Sequence, residues 1–194
     1  LVYSSLFLMF ALSLLYISIS ANKVYRILVT KNQTYILLNK YSNILFSHLV
    51  SNPPLDDSTP PYTLDMSNDF RLSVKPACST KLILIDSENT TIEPYQLRYK
   101  KKYIYLQFDR NSFNRSPYND ANIIEEYERG NPKVIVNNVE SLYFFLLDIN
   151  NNYINGDENN PTKNISGYSV MAVLYLNQKI REKKYFNFKL YYGF

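Results

Sequence analysis

Cysteine occurs once, histidine once and glycine four times in 194 residues. Each scarcity removes a class of function. A lone cysteine leaves no internal disulfide framework and no cysteine-based zinc site. Four glycines are too few for a Gly-rich nucleotide-binding architecture. A single histidine leaves His48 as the only imidazole able to serve as a general base. Charge is equally modest: 21 basic against 17 acidic residues give +4, read from the sequence as too mild and scattered for a nucleic-acid footprint. What is abundant is apolar and aromatic surface, 46% and 15% of residues, with 19 Tyr and 11 Phe. That content excludes global disorder and gives a core to one domain of ordinary size.

No charged residue occurs in residues 1 to 22, and residues 6 to 17 are strongly apolar. At a helical rise of ~1.5 Å per residue this stretch reaches roughly 33 Å, enough to cross a ~30 Å hydrocarbon core. A transmembrane anchor over 1 to 22 is one reading. A cleaved signal peptide is the other, because Ser18-Ile19-Ser20-Ala21 offers small residues for a signal peptidase. The apolar run exceeds a usual signal core, and Tyr3 and Tyr16 suit interfacial positions, which favours the anchor. The chain opens on Leu1 rather than Met, so a basic flank that would set orientation is expected upstream. Lys23 and Arg26 weigh against translocation of the chain beyond them. The sequons at Asn32, Asn89 and Asn164 weigh for it, since glycan transfer needs lumenal exposure.

Beyond residue 22 the signals are those of strands. Ile104, Leu106 and Phe108 alternate with Tyr103, Tyr105 and Gln107; residues 169 to 176 and 185 to 191 repeat the period of two. Shorter Val, Ile, Tyr and Phe runs at 24 to 30, 35 to 38, 82 to 85, 133 to 136 and 143 to 147 read as further strands. Many short strands without intervening helices predict an all-β fold, a single antiparallel β-sandwich over 23 to 194 behind one N-terminal transmembrane helix. Residues 119 to 129 are acidic and compete as a short helix. Pro53, Pro54, Pro60 and Pro61 make 51 to 68 a Pro-rich loop through which no central strand passes. Residues 150 to 167 read as an Asn-rich surface loop.

An ordered string occupies the last third: Arg129-Gly130-Asn131-Pro132-Lys133, then Val134-Ile135-Val136, then Asn137-Asn138-Val139-Glu140-Ser141-Leu142, then Tyr143-Phe144-Phe145-Leu146-Leu147-Asp148. A loop leads on to the sequon Asn164-Ile165-Ser166 and the alternating strand that ends at Leu176. This succession resembles subunit 3 of the eukaryotic signal peptidase complex, a small glycosylated accessory subunit. The strand at 102 to 108, the apolar-acidic segment Ile123-Ile124-Glu125-Glu126-Tyr127-Glu128 and the N-terminal anchor fall in that family's order. The resemblance covers residues 100 to 176 well and the rest loosely. It implies a single-pass type II protein of the endoplasmic reticulum membrane with its C-terminal domain in the lumen. It also implies a non-catalytic role, assembly with the catalytic subunit and other small membrane subunits, and no cofactor or metal. The rival from the residues alone is a secreted or surface β-sandwich binding module with a cleaved signal peptide.

Catalysis by this chain would need His48 as base, a serine nucleophile and Asp56 or Asp57 as orienter, yet no G-x-S-x-G turn is present. His48 is therefore read as a packing or surface residue. Cys78 is expected to be buried. Asp148, Asp157 and Glu158 lack the spacing of a calcium loop and read as solvated. The basic runs Arg98-Tyr99-Lys100-Lys101-Lys102 and Arg181-Glu182-Lys183-Lys184 read as charged strand entries, with lipid headgroups as the functional alternative.

Overall fold

A computed structural model describes residues 2–49, 60–66, 75–88, 98–108, 121–156, 164–176 and 185–190. Among these residues one helix, α1, spans Val2–Leu49. It does not stop at residue 22, and the strands expected at 24 to 30 and 35 to 38 are helical. The reason is on the chain: no Gly and no Pro occurs before Pro53, so nothing breaks a helix once it has started. The hydroxyls that favour other conformations turn inward to the helix. Thr30 donates to the Arg26 carbonyl and Thr34 to the Thr30 carbonyl, each at 2.8 Å. The stretch Tyr3–Leu49 contains a segment apolar enough to cross a membrane, and none of that segment is buried within the protein. Two compact units result, Leu1–Lys40 and Tyr41–Phe194.

Among the described residues the second unit holds nine strands: β1 Tyr62–Leu64, β2 Cys78–Ser79, β3 Lys81–Glu88, β4 Arg98–Phe108, β5 Ala121–Tyr127, β6 Lys133–Leu147, β7 Ile165–Gly167, β8 Ser169–Leu176 and β9 Tyr185–Leu190. They form one curled antiparallel sheet in the order β7-β1-β3-β4-β5-β6-β8-β9, with β2 also beside β6. Only Tyr168 separates β7 from β8, although the two lie toward opposite ends of that order. The sheet must therefore bring its ends together. Gly167 is what makes the junction possible, since a Cβ there would lie 2.8 Å from the Leu146 Cβ and 3.2 Å from the Leu147 carbonyl.

Strand β6 turns the corner by changing partners. Its first part pairs with β5 and its second with β8, and the ladder is irregular between Val134 and Val136, between Val136 and Val139, and between Val139 and Ser141. Asn138 sits inside this stretch with φ 58°, the left-handed conformation that an Asn tolerates and a β-branched residue does not. Two strands expected at 133 to 136 and 143 to 147 are thus one bent strand. The inner face carries Leu82, Ile104, Ile123, Leu142, Phe144, Val170, Ala172 and Leu174, all fully buried. On the other face of β6 and β8, Leu147, Met171 and Val173 cluster under Phe145 and Tyr175.

Three further expectations are corrected. Residues 121 to 127 form β5 rather than a helix, because Ala121, Ile123 and Ile124 are buried against neighbouring strands on both sides. The Pro-rich stretch ends in β1, which is an interior strand between β3 and β7. Pro60 and Pro61 precede it, so Tyr62, Thr63 and Leu64 keep their N–H groups for the ladder. The Asn-rich loop likewise ends in β7, and its residues 157 to 163 lie outside the described ones.

Candidate functional site

Alternation along β4 carries the inner face through Ile104 and Leu106 and, two residues earlier, through Lys102. The Lys102 side chain is 2% exposed. A cation so placed requires a counter-ion. Glu125 supplies it from the adjacent strand β5, where it pairs in register with Ile104 and its side chain is 8% exposed. The Lys102 Nζ lies 3.7 Å from the Glu125 Oε2 and 5.9 Å from the centre of the Tyr127 ring. The same Oε2 contacts the Nδ1 of His48, from the last turn of α1. Leu45 and Leu49 flank His48 in the helix and are buried.

One carboxylate thus serves two nitrogen bases from two elements. The arrangement stabilises a buried charge and ties the end of α1 to β5. His48 meets a carboxylate from β5 here, and Asp56 and Asp57, its expected orienters, lie outside the described residues. No group of three or more His, Cys, Asp or Glu side chains that could hold a metal ion occurs among the described residues. Sequence reasoning singled out His48 and missed both partners. The signal was present, because Lys102 and Glu125 fall in phase with Ile104 and Ile123 on apolar faces. A lysine read as a charged strand entry is in fact interior.

The outer face of β3, β4 and β5 carries a second polar group. Lys81 pairs with Asp65 at 2.9 Å and stands 4.9 Å over the Tyr103 ring. The Tyr105 hydroxyl donates to Glu126 at 3.0 Å. Burial, followed by that hydrogen bond and the Glu126 charge, raises the Tyr105 pKa above that of an ordinary phenol.

The residues that carry the family resemblance are dispersed along β5, β6 and their connection. Gly130, Asn131 and Pro132 are exposed between the strands, where the Gly130 N–H donates to the Tyr127 carbonyl at 2.8 Å, and Lys133 opens β6. Phe144 is fully buried, whereas Tyr143 and Phe145 are half-buried on the opposite face. Their rings meet Tyr175 and Tyr153 edge to face at 6.3 and 6.0 Å. Cys78 is buried in β2 opposite Phe145.

Asn164 is exposed at the entry to β7. Asn32 is exposed on α1, and Asn89 lies outside the described residues. Asp148 caps the turn after β6, accepting hydrogen bonds from the backbone N–H groups of Asn150 and Asn152 at 2.8 Å and from the Asn152 side chain at 3.2 Å. The Asn152 backbone bond foremost, with the other two, holds its carboxyl below the usual carboxylate range. Asp157 and Glu158 lie outside the described residues. The chain matches no protein-family model, no curated protein and no solved structure.

Proposed function

We propose that this chain is a non-catalytic accessory subunit of the endoplasmic reticulum signal peptidase complex. It acts as a single-pass type II protein whose C-terminal domain, a lumenal β-sandwich, holds and orients the catalytic subunit where signal peptides emerge. The observation that carries this reading is the ordered string from Arg129 through Tyr143-Phe144-Phe145 to Asn164-Ile165-Ser166 and Leu176. An apolar N-terminal helix followed by a curled antiparallel sheet is the architecture such a subunit needs. Its contribution is linkage: binding that favours the competent arrangement of a partner stabilises it without adding a reacting group.

Affinity purification of the tagged full-length chain from membranes in mild detergent, followed by mass spectrometry, tests the reading. Recovery of the signal peptidase catalytic subunit in near-equal amount is the expected result. A chain recovered alone, or released as a soluble protein lacking residues 1 to 21, refutes it and leaves the secreted β-sandwich module in its place.

A further inference from the structure

The net charge of the protein is not scattered. Lys23, Arg26, Lys31 and Lys40 are four of the 21 basic residues, and the remaining 17 balance all 17 acidic residues, the first of which is Asp56. The whole +4 therefore resides in 18 residues of α1. All four cations are exposed on the helix.

Their position relative to the apolar surface is equally specific. Residues 1 to 22 are uncharged, yet exposed apolar surface does not end there: Val24, Tyr25, Ile27 and Leu28 continue it past Lys23 and Arg26. From Leu6 to Leu28 the helix rises roughly 33 Å, about the thickness of a hydrocarbon core. Lys23 and Arg26 thus stand within the final turns of the apolar span. In a bilayer that covers this span, long cationic side chains extend their charged ends to the headgroup level along their aliphatic stems, and Tyr25 also suits that interface.

We propose that Lys23 and Arg26 bind acidic lipid headgroups in the leaflet at which the helix leaves the bilayer, making the span selective for anionic over zwitterionic lipid. The occupant is a lipid surface because the cations interrupt exposed apolar residues rather than forming a polar face, and α1 carries no acidic side chain to neutralise them. Lys40 lies about 26 Å further along the helix from Lys23, beyond the ~8 to 10 Å reach of unscreened charge, and takes no part. This inference rests on α1 alone and is independent of the peptidase reading.

The test uses the full-length chain reconstituted into phosphatidylcholine vesicles containing traces of spin-labelled phosphatidylserine or spin-labelled phosphatidylcholine, with the motionally restricted fraction measured by electron paramagnetic resonance. The expected result is a preference for the serine lipid at low salt, up to roughly fivefold per charge, that declines as salt is raised. In the double variant Lys23→Gln, Arg26→Gln most of the preference is lost, Lys31 about 7.5 Å beyond Arg26 supplying the remainder, while Lys40→Gln keeps the preference. Equal restriction of both labels by the unaltered chain overturns the proposal. So does a preference that survives undiminished in the double variant or is lost equally in Lys40→Gln, and so does failure of the chain to remain with the vesicles.

Discussion

Replacing Glu125 by Gln removes one negative charge from between two nitrogen bases and changes almost no volume. The Lys102 ammonium, 2% exposed, then loses the carboxylate that stands 3.7 Å away. At an effective dielectric constant of about 20 that separation corresponds to about 4 kcal/mol of lost attraction. For a unit spanning residues 41 to 194 this lowers Tm by roughly 8 to 16 °C. The assay is thermal and denaturant unfolding of the full-length chain in mild detergent, followed by the far-UV signal of the sheet. Lys102→Met alone leaves Glu125 with His48, and the double variant Lys102→Met, Glu125→Gln removes both charges of the pair. The double variant is therefore expected to be more stable than Glu125→Gln by about 2 kcal/mol or more. A loss under about 1 kcal/mol in Glu125→Gln, or strictly additive single effects, would refute the reasoning. Either result would mean that Lys102 is held by something other than this carboxylate.

Gly167→Ala places a methyl group 2.8 Å from the Leu146 Cβ, both atoms being fixed to backbone, and is expected to destabilise the sheet junction by about 1 to 3 kcal/mol in denaturant unfolding. Asn138, exposed at φ 58°, separates conformation from packing: Asn138→Gly should be neutral or better, and Asn138→Val should cost about 1 to 2 kcal/mol. The depressed pKa of Asp148 means that its turn contributes stability above the ordinary carboxylate pKa. That contribution is lost as pH falls from there through the lower folded value, so acid-induced chemical-shift change in Asn150 and Asn152 amides should follow the Asp148 titration and vanish in Asp148→Asn. His48→Ala, at a side chain 26% exposed, should cost less than Glu125→Gln in the same unfolding assay; an equal or larger loss would mean that the end of α1, rather than the Lys102 charge, dominates the contact.

Much of the second unit is legible from local pattern. Strands β8 and β9, and β4 from residue 102 onward, are legible because their apolar residues recur at the strand period of two, a pattern written within a few residues. The membrane-length apolar segment follows from composition for a similar reason, since it needs no partner to be recognised. Where propensity and context disagreed, context prevailed. Val24, Ile27 and Tyr35 favour strands individually, yet they lie in a segment free of Gly and Pro that continues an existing helix, and extension is easier than nucleation. The three residues of β1 carry too little pattern to be seen beside four prolines; their place is set by β3 on one side and β7 on the other.

The sequence by itself determined the alternating strands and the uncharged segment long enough for a bilayer. Only the tertiary structure decided that β6 is one bent strand shared by β5 and β8, that Gly167 lets the sheet close on itself, and that Lys102, Glu125 and His48 meet. The physical reason is separation along the chain. Periodicity is written within a few residues, whereas His48 and Glu125 stand 77 positions apart and meet only when the chain folds.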